Sequence, residues 1–316
     1  MSEQKKVHKS KIGGQALIEG VMMKGIYHSA MACRLPDGKI DVEVWDEKNG
    51  KNMPWYRKTP IIRGSFNFVS SMTDGYRCLM KSAEKQMTDD GSGEEPETKL
   101  DKWLDEHIGE KFMNVFSVIA MIFGFALCLF LFKFLPMKAV SLMGGFLTNR
   151  IAKTFVEGII KIAIFVGYLA VIAQMKDMKR TYEYHGAEHK TIACYEAGDE
   201  LTVENVKKYT RFHPRCGTSF MIITLLVSIF VFCFIPWTSM ITRFITQIIL
   251  LPLIVGISYE FIKLAGRTDN AFTRIISAPG MWVQRLTTRE PDGEEIAVAI
   301  EAMKPCIPEN PEDDQW

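Results

Sequence analysis

Four long runs of apolar residues follow a charged N-terminal region. A helix of about 20 apolar residues is long enough to cross the roughly 30 Å hydrocarbon core of a bilayer. Four such lengths rarely coincide among the buried helices of a soluble protein. The pattern therefore predicts four transmembrane helices, at approximately Val115–Leu135, Phe155–Met175, Thr218–Trp237 and Phe244–Ile262.

Lysine and arginine residues predict the orientation of these helices. The turn between the third and fourth helices holds only Arg243, near its end, whereas the second connection is strongly basic. Its cations are Lys176, Lys179, Arg180, Lys190, Lys207, Lys208, Arg211 and Arg215. Cytoplasmic loops carry the excess of lysine and arginine. With an even number of spans, the N-terminal region, this loop and the C-terminal tail are all expected in the cytoplasm.

The predicted fold class is a predominantly α membrane protein with a small cytoplasmic N-terminal α+β unit and a helical cytoplasmic loop. Its predicted parts are the α+β unit at 1–87, an acidic linker at 88–110, the four-helix transmembrane region at 111–265 with its cytoplasmic loop at 176–217, and a cytoplasmic helical tail at 266–316.

Local patterns predict the elements of these parts. Pro36-Asp37-Gly38 separates two apolar stretches and predicts a β-hairpin. Residues 60–83 have apolar positions at three- and four-residue spacing, which predicts an amphipathic helix. This helix could lie on the membrane surface or cover the hairpin, and packing against protein is the favoured interpretation. Residues 267–303 predict two short helices separated at Arg289–Gly293, and the last dozen residues are expected to be disordered.

Composition restricts the partners and the redox state. The formal net charge of +1 gives no broad electrostatic field, so nucleic acid is not an expected partner. The lipid bilayer and other membrane proteins are the expected partners. The seven cysteines are odd in number and lack disulfide-like spacing, which indicates reduced thiols.

Two acidic residues lie inside the predicted spans, Glu157 in the second and Glu260 near the end of the fourth. Ionisable groups at membrane depth are costly and indicate a bundle interior or a functional role. Glu157 has Lys153 and Lys161 four residues away on either side. A structural ion pair or an interfacial position therefore competes with an ion pathway.

The candidate chemistry lies between the second and third spans. Tyr182–Glu196 predicts a helix on which His185 and His189 lie one turn apart, the geometry by which two imidazoles bind one metal ion. Glu188 directly precedes the second histidine and completes the H-x-x-E-H order of the inverzincins. In that arrangement the glutamate activates a metal-bound water, whose pKa zinc lowers to about 7. On spacing alone, a surface helix with Glu188 and Lys190 in solvent explains the string equally well.

Further candidate ligands follow some two dozen residues later. Pro214 and Gly217 enforce a turn that could direct His213 and Cys216 to one point. Thiolate and imidazole ligands favour zinc or another divalent transition metal over magnesium or calcium. Four ligands would close the tetrahedron and make the site structural, whereas three would leave a position for water. The sequence leaves both arrangements open.

At these residues the chain resembles the YqhQ-like family of bacterial membrane proteins, whose shared domain is domain of unknown function 1385 and which is often described as a predicted metal-dependent enzyme. The resemblance covers about residues 11–303. It rests on GGQALIEGVMMKG at 13–25, IIRGSFNFV at 61–69, YHGAEHKTIACYE at 184–196, RFHPRCGTSF at 211–220, GISYEFIKLAG at 256–266 and VQRLTTREPD at 283–292. It implies a multi-pass protein of the bacterial plasma membrane. Arg63, in the second string, is expected to be structural, and the role of Glu19, in the first, stays open.

Three functions fit these residues. The first is a membrane-embedded metal-dependent hydrolase in which Glu188 activates water and Arg215 or Lys190 steadies an anionic group. The second is a non-catalytic scaffold or adaptor whose loop is held by a structural metal or by hydrogen bonds. The third and weakest is a small transporter built around Glu157 and Glu260, because the four spans show no inverted repeat.

Overall fold

The computed structural model describes residues 9–47, 54–87 and 110–315, apart from 145, 237–238, 269 and 311. These residues form a small antiparallel sheet and a larger set of helices. The predicted acidic linker lies outside the described residues except at its last position, Glu110.

The N-terminal sheet is an antiparallel meander in the order β1-β2-β3-β4. Its strands are β1 (Gly13–Leu17), β2 (Gly20–Lys24), β3 (His28–Arg34) and β4 (Ile40–Asp46). Gly38 has a φ of 85°, which a residue without Cβ adopts readily, in the turn between β3 and β4. The predicted hairpin is confirmed.

The helices follow the sheet in the chain. They are α1 (Trp55–Lys58), α2 (Ile62–Met87), α3 (Glu110–Leu129), α4 (Leu135–Leu142), α5 (Arg150–Ile172), α6 (Lys176–Glu196), α7 (Val203–Val206), α8 (Gly217–Cys233), α9 (Met240–Arg267), α10 (Ala271–Thr287) and α11 (Gly293–Met303). A π-helical segment, Phe130–Phe134, joins α3 to α4. Helices α10 and α11 are the two short helices that were predicted within residues 267–303.

The two central strands are buried on both faces. Successive residues of a strand point to opposite faces, so Val21 and Met23 pack with α6 and α11. Met22 faces the other way and packs with Cys78 of α2. The packing of β2 therefore fixes the position of α6, the helix that carries the two candidate histidines.

Three helical stretches are long and apolar enough to cross a membrane, judged by length and composition: Ile119–Leu142, Arg150–Ile172 and Ile241–Arg267. The remaining apolar helix, α8, has 17 residues and ends at Cys233. Pro236 follows it, and proline cannot continue the helical hydrogen bonds. Among the described residues the structure has three apolar candidate spans, and the fourth span stays a prediction.

The predicted position of Arg243 was wrong. It lies in the first turn of α9 rather than in the preceding turn, because Ser239 caps this helix by accepting the N–H of Thr242. The Arg243 side chain is 1% exposed. Its charge faces Glu157 of α5 rather than solvent.

The amphipathic helix packs against protein, as expected, but not through its bulky apolar residues. Its bulky apolar residues are exposed on α2: Ile62, Phe66, Val69, Tyr76 and Met80. The opposite face packs instead, because its small residues permit close approach. A Cβ on Gly64 would come within 2.6 Å of Tyr259 in α9, and one on Gly75 within 2.0 Å of Gln15 in β1.

The C-terminal end of the chain is packed rather than disordered over its described residues. Asp314 is fully buried, and its carboxylate accepts the backbone N–H of Lys11 at 3.0 Å. Ser10 and Gln315 form an antiparallel bridge. The tail therefore closes over the beginning of the chain, beside α6.

Candidate metal centre

The two histidines of α6 face the same side of the helix, as predicted. The ring centroids of His185 and His189 are 4.4 Å apart. Gly186 between them lets the chain after α10 approach, since a Cβ there would lie 1.9 Å from the Arg289 carbonyl oxygen. This contact brings the end of α10 beside the histidines.

Backbone carbonyls orient both imidazoles. His185 Nδ1 lies 2.8 Å from the Thr287 carbonyl oxygen, and His189 Nδ1 lies 2.6 Å from that of Arg211. A carbonyl oxygen only accepts, so each Nδ1 carries its hydrogen. Each Nε2 is then the atom available to a metal. Metal-ligating histidines usually have such an orienting contact at their other ring nitrogen.

Cys216 approaches the same point from the beginning of α8. It is the N-cap residue, and its Sγ accepts the Thr218 N–H at 3.4 Å. Its Sγ lies 3.2 Å from His185 Nε2. Ligand atoms of His185, His189 and Cys216 all lie within 4.8 Å of one another.

The charges of these groups suit metal ligation. Burial raises the pKa of the Cys216 thiol, but the imidazoles of His185 and His189 outweigh burial, and the net pKa lies well below its ordinary value. Burial lowers the pKa of His185, but the Cys216 sulfur outweighs burial and raises it to about 9. The sulfur is therefore a thiolate beside an imidazolium, and thiolate is the form that binds metals.

Glu188 lies at the edge of this group. Its Oε2 is 4.0 Å from His185 Nε2, and its side chain is 5% exposed. Gly14 of β1 covers it, because a Cβ there would lie 3.0 Å from Glu188 Cγ. Burial raises the pKa of this carboxyl. A carboxylate whose pKa is raised accepts a proton more readily than an ordinary carboxylate.

His213 is a neighbour of the group rather than a member of it. Its ring centroid lies 5.5 Å from that of His189. Its Nε2 accepts a hydrogen bond from Arg215 Nη2 at 3.1 Å. Burial, followed by the positive charge of Arg215, lowers the pKa of His213 well below its usual range, so the ring is neutral. Of the four predicted ligands, the structure therefore brings three together.

Gln284 is a further residue of the site that was not predicted from the sequence, and it is fully buried on α10. Its Oε1 accepts the His213 N–H at 2.8 Å, and its Nε2 donates to the His213 carbonyl at 2.7 Å and to Ser219 Oγ at 2.8 Å. This amide fixes the turn between His213 and Cys216. Its only sequence signal was its place in the VQRLTTREPD string.

The two cations expected to steady an anionic group bind protein carboxylates. Lys190 Nζ lies 2.6 Å from Glu290 Oε2. Arg215 pairs with Glu196 and also donates to the Ser10 carbonyl. Both side chains therefore stabilise the walls of the site.

Glu19 and Arg63 link the N-terminal region to the helices. Glu19 accepts two hydrogen bonds from Arg180, at 2.8 and 3.0 Å, and one from the Tyr184 hydroxyl at 3.0 Å. Arg63 forms a two-pronged ion pair with Glu260 of α9. Arg63 thus has a structural contact of the kind expected for it, and Glu19 fixes the β1–β2 turn to α6.

The donor set fits a borderline transition metal, since it combines two imidazole nitrogens with one thiolate. A buried carboxyl group, that of Glu188, lies next to these ligands. Such an arrangement can bind a metal and move a proton beside it.

Comparisons with known proteins identify the family. A family model described as "Protein of unknown function (DUF1385)" matches residues 59–309. The "Uncharacterized protein YqhQ" of Bacillus subtilis (strain 168) is 33% identical over 298 residues, which cover 93% of this chain and 92% of that protein. No solved structure matches the chain. The chain therefore belongs to the YqhQ-like DUF1385 family, as its sequence motifs predicted.

Proposed function

We propose that the protein is an integral membrane metal-dependent hydrolase whose zinc, or another divalent transition metal, is held by His185, His189 and Cys216. The observation that carries the proposal is the convergence of three ligand atoms within 4.8 Å beside a buried glutamate. Three protein ligands and one open position are typical of catalytic zinc, whereas structural zinc has four.

The contacts of His213 favour the open arrangement. Its Nε2 already accepts a hydrogen bond from Arg215, whose guanidinium is held by Glu196. Ligation by this nitrogen would require the loss of that bond. We therefore assign His213 to the wall of the site and leave the fourth position to water.

Glu188 is the general base in this proposal. A bound zinc would supply Lewis acidity and a water of lowered pKa. Glu188 would take the proton from the attacking water and return it to the leaving group, which its raised pKa favours. The Cys216 thiolate and the two imidazoles would keep their orientation throughout.

The substrate would enter past His185. Its side chain is 16% exposed, whereas that of Glu188 is 5% exposed. An ester or amide of a lipid or a peptide at the cytoplasmic leaflet has the chemistry that a water nucleophile cleaves. The approach would be narrow, so the substrate would present its reacting carbonyl on an extended segment.

The membrane assignment rests on the apolar helices. Three stretches have the length and composition of spans, and we propose α8 as a fourth, shorter one. The basic connection would place the metal centre, the N-terminal sheet and the tail in the cytoplasm. The exposed apolar face of α2 supports a position of this helix on the membrane surface.

A second candidate function is a scaffold or adaptor whose loop is held by a structural metal. The observation that favours it is the burial of the centre, since His189 is 2% and Cys216 6% exposed. A transporter has less support, because Glu157 and Glu260 each pair with an arginine.

Elemental analysis of the purified protein, produced without a histidine tag, tests the metal assignment. We expect about one zinc per chain in the wild type, and its loss in His185→Ala, His189→Ala and Cys216→Ala. His213→Ala is the matched control and is expected to keep the metal. Loss in all four variants would indicate a closed structural site. A metal-free wild type, even after reconstitution with zinc, would contradict the hydrolase proposal.

A further inference from the structure

A second cluster of buried charges lies at the other end of α8 from the metal centre. Glu157 and Lys161 are one turn apart on α5 and form an ion pair. Arg243 of α9 donates to Glu157 Oε2 through Nε at 3.0 Å and Nη2 at 2.7 Å. Gln247 donates to Glu157 Oε1 at 3.0 Å. Each of these four residues is at most 8% exposed.

The cluster has more positive than negative charge among the described residues. Glu157 is shared by Lys161 and Arg243, so one carboxylate serves two cations. A third cation, Lys133, lies close enough to interact electrostatically with both Glu157 and Lys161. Excess positive charge in an apolar surrounding is unfavourable unless a lysine loses its proton or an anion accompanies it. An anion beside the cluster would let both lysines keep their charge.

The helix that carries Lys133 is locally widened. Lys133 lies in the π-helical segment Phe130–Phe134 between α3 and α4. Such segments are rare and frequently occur at functional sites, because they redirect individual side chains. Here the segment places a lysine beside a cluster that already contains two cations.

A small cavity adjoins the cluster. It has a volume of about 10 Å³ and is lined by Thr154, Glu157, Gly158, Lys161, Ser228, Ile229, Phe232 and Arg243. That volume holds a particle of about the size of one water molecule. The Lys161 ammonium has three N–H donors, and its one described hydrogen bond is to Glu157. Two donors are thus left for an occupant of the cavity.

We propose that this cluster binds one small monovalent inorganic anion of halide size, with Lys161 as its principal donor. Arg243 and Lys133 would add electrostatic attraction, and Glu157 would hold the two nearest cations in place. The cavity is too small for a phosphate or a lipid head group. This site is separate from the metal centre and does not depend on the hydrolase proposal.

Thermal unfolding of the purified wild-type protein in detergent tests the proposal. Sodium chloride would be titrated against sodium gluconate at constant ionic strength, and sodium bromide would be used in parallel. Because a ligand that binds only the folded state stabilises it, we expect a saturable rise in Tm of about 2–5 °C with either halide. Equal Tm values in chloride and gluconate, or a rise without saturation, would overturn the proposal.

Lys161→Met tests the assigned donor, with Lys153→Met as the matched control. Both lysines lie on α5, but Lys153 does not line the cavity. The halide-dependent rise in Tm should be lost in Lys161→Met and kept in Lys153→Met. An unchanged rise in Lys161→Met would contradict the assignment.

Crystals of the wild type grown with bromide keep the test decisive if Lys161→Met does not fold. An anomalous bromide peak beside Lys161 would support the site. Its absence at a bromide concentration that saturates the rise in Tm would overturn the proposal.

Discussion

The metal centre and the Glu157 cluster are two buried polar sites joined by one helix. Cys216 caps the beginning of α8, and Ser228 lines the cavity at its other end. Twelve residues of α-helix separate them, about 18 Å at 1.5 Å per residue. In the metal centre, two imidazoles and one thiolate converge, and backbone carbonyls orient the imidazoles. In the Glu157 cluster, one carboxylate pairs with two cations.

The two sites show different solutions to the same physical problem. A buried polar group is unfavourable unless it has a partner. The imidazoles obtain partners from distant parts of the chain, Thr287 and Arg211. Glu157 obtains its partners from the same helix and from α9. The first solution directs two Nε2 atoms and one thiolate to a single point for a metal cation, whereas the second leaves excess positive charge for an anion.

The largest expected effect comes from Glu157→Gln, which would leave two buried cations without their carboxylate. We expect the free energy of unfolding to fall by about 3–5 kcal/mol. Glu260→Gln is the matched control, because its partner Arg63 is 19% exposed and Glu260 27% exposed. That variant should lose only about 1 kcal/mol. Unfolding of both variants in mixed micelles measures the difference, and equal losses would remove the distinction between buried and peripheral pairs.

The pH dependence of zinc affinity tests the metal centre independently of the anion site. The raised pKa of His185, about 9, means that zinc must displace its proton below that pH. Cys216 is already a thiolate, since its pKa is well below the ordinary value. One proton is therefore released, and the zinc affinity should rise about tenfold per pH unit from pH 7 and flatten above about pH 9. Competition with a chromophoric chelator measures this slope, and a flat profile would contradict the thiolate–imidazolium pair.

Substitutions of two adjacent glycines of β1 test whether this strand packs tightly over Glu188. A Cβ on Gly14 would lie 2.6 Å from the Met22 carbonyl oxygen and 3.0 Å from Glu188 Cγ, whereas one on Gly13 would meet nothing within 4 Å. Gly14→Ala should lower the free energy of unfolding by about 1–3 kcal/mol through overpacking. Gly13→Ala should stay within about 0.5 kcal/mol of the wild type. Thermal or denaturant unfolding compares the two, and equal stabilities would mean that β1 does not cover the site tightly.

The smallest expected effect on metal binding comes from Glu188→Gln. Glu188 is not one of the three grouped ligands, so zinc should stay bound in this variant. Hydrolysis should nevertheless be lost, because glutamine cannot accept the proton of the attacking water. Zinc titration measures the first effect. Loss of zinc in this variant would make Glu188 a ligand instead of a base.

Several elements were predictable because their signals are local. The hairpin at Pro36-Asp37-Gly38, the helix that carries His185 and His189, and the two helices of the tail all match the structure. Each depends on turn residues or on spacing along one element. The family was predictable for the same reason, because its motifs are short strings.

The exposed face of α2 shows where local patterns were insufficient. The apolar periodicity of Phe66, Val69 and Tyr76 identified a helix, but the face that packs is defined by Gly64 and Gly75. Two backbones approach closely where the residues between them are small. The periodicity of large apolar residues does not indicate such positions. The burial of Arg243 was missed because its partner Glu157 lies 86 positions away in the chain.

By itself, the sequence determined the order and type of the elements, the apolar stretches and the residue types available for metal chemistry. The tertiary structure alone decided that Cys216 joins His185 and His189 while His213 is bound by Arg215 and Gln284. The physical reason is that secondary structure follows from short-range spacing, whereas a site depends on side chains from distant segments that meet only when their helices and strands pack.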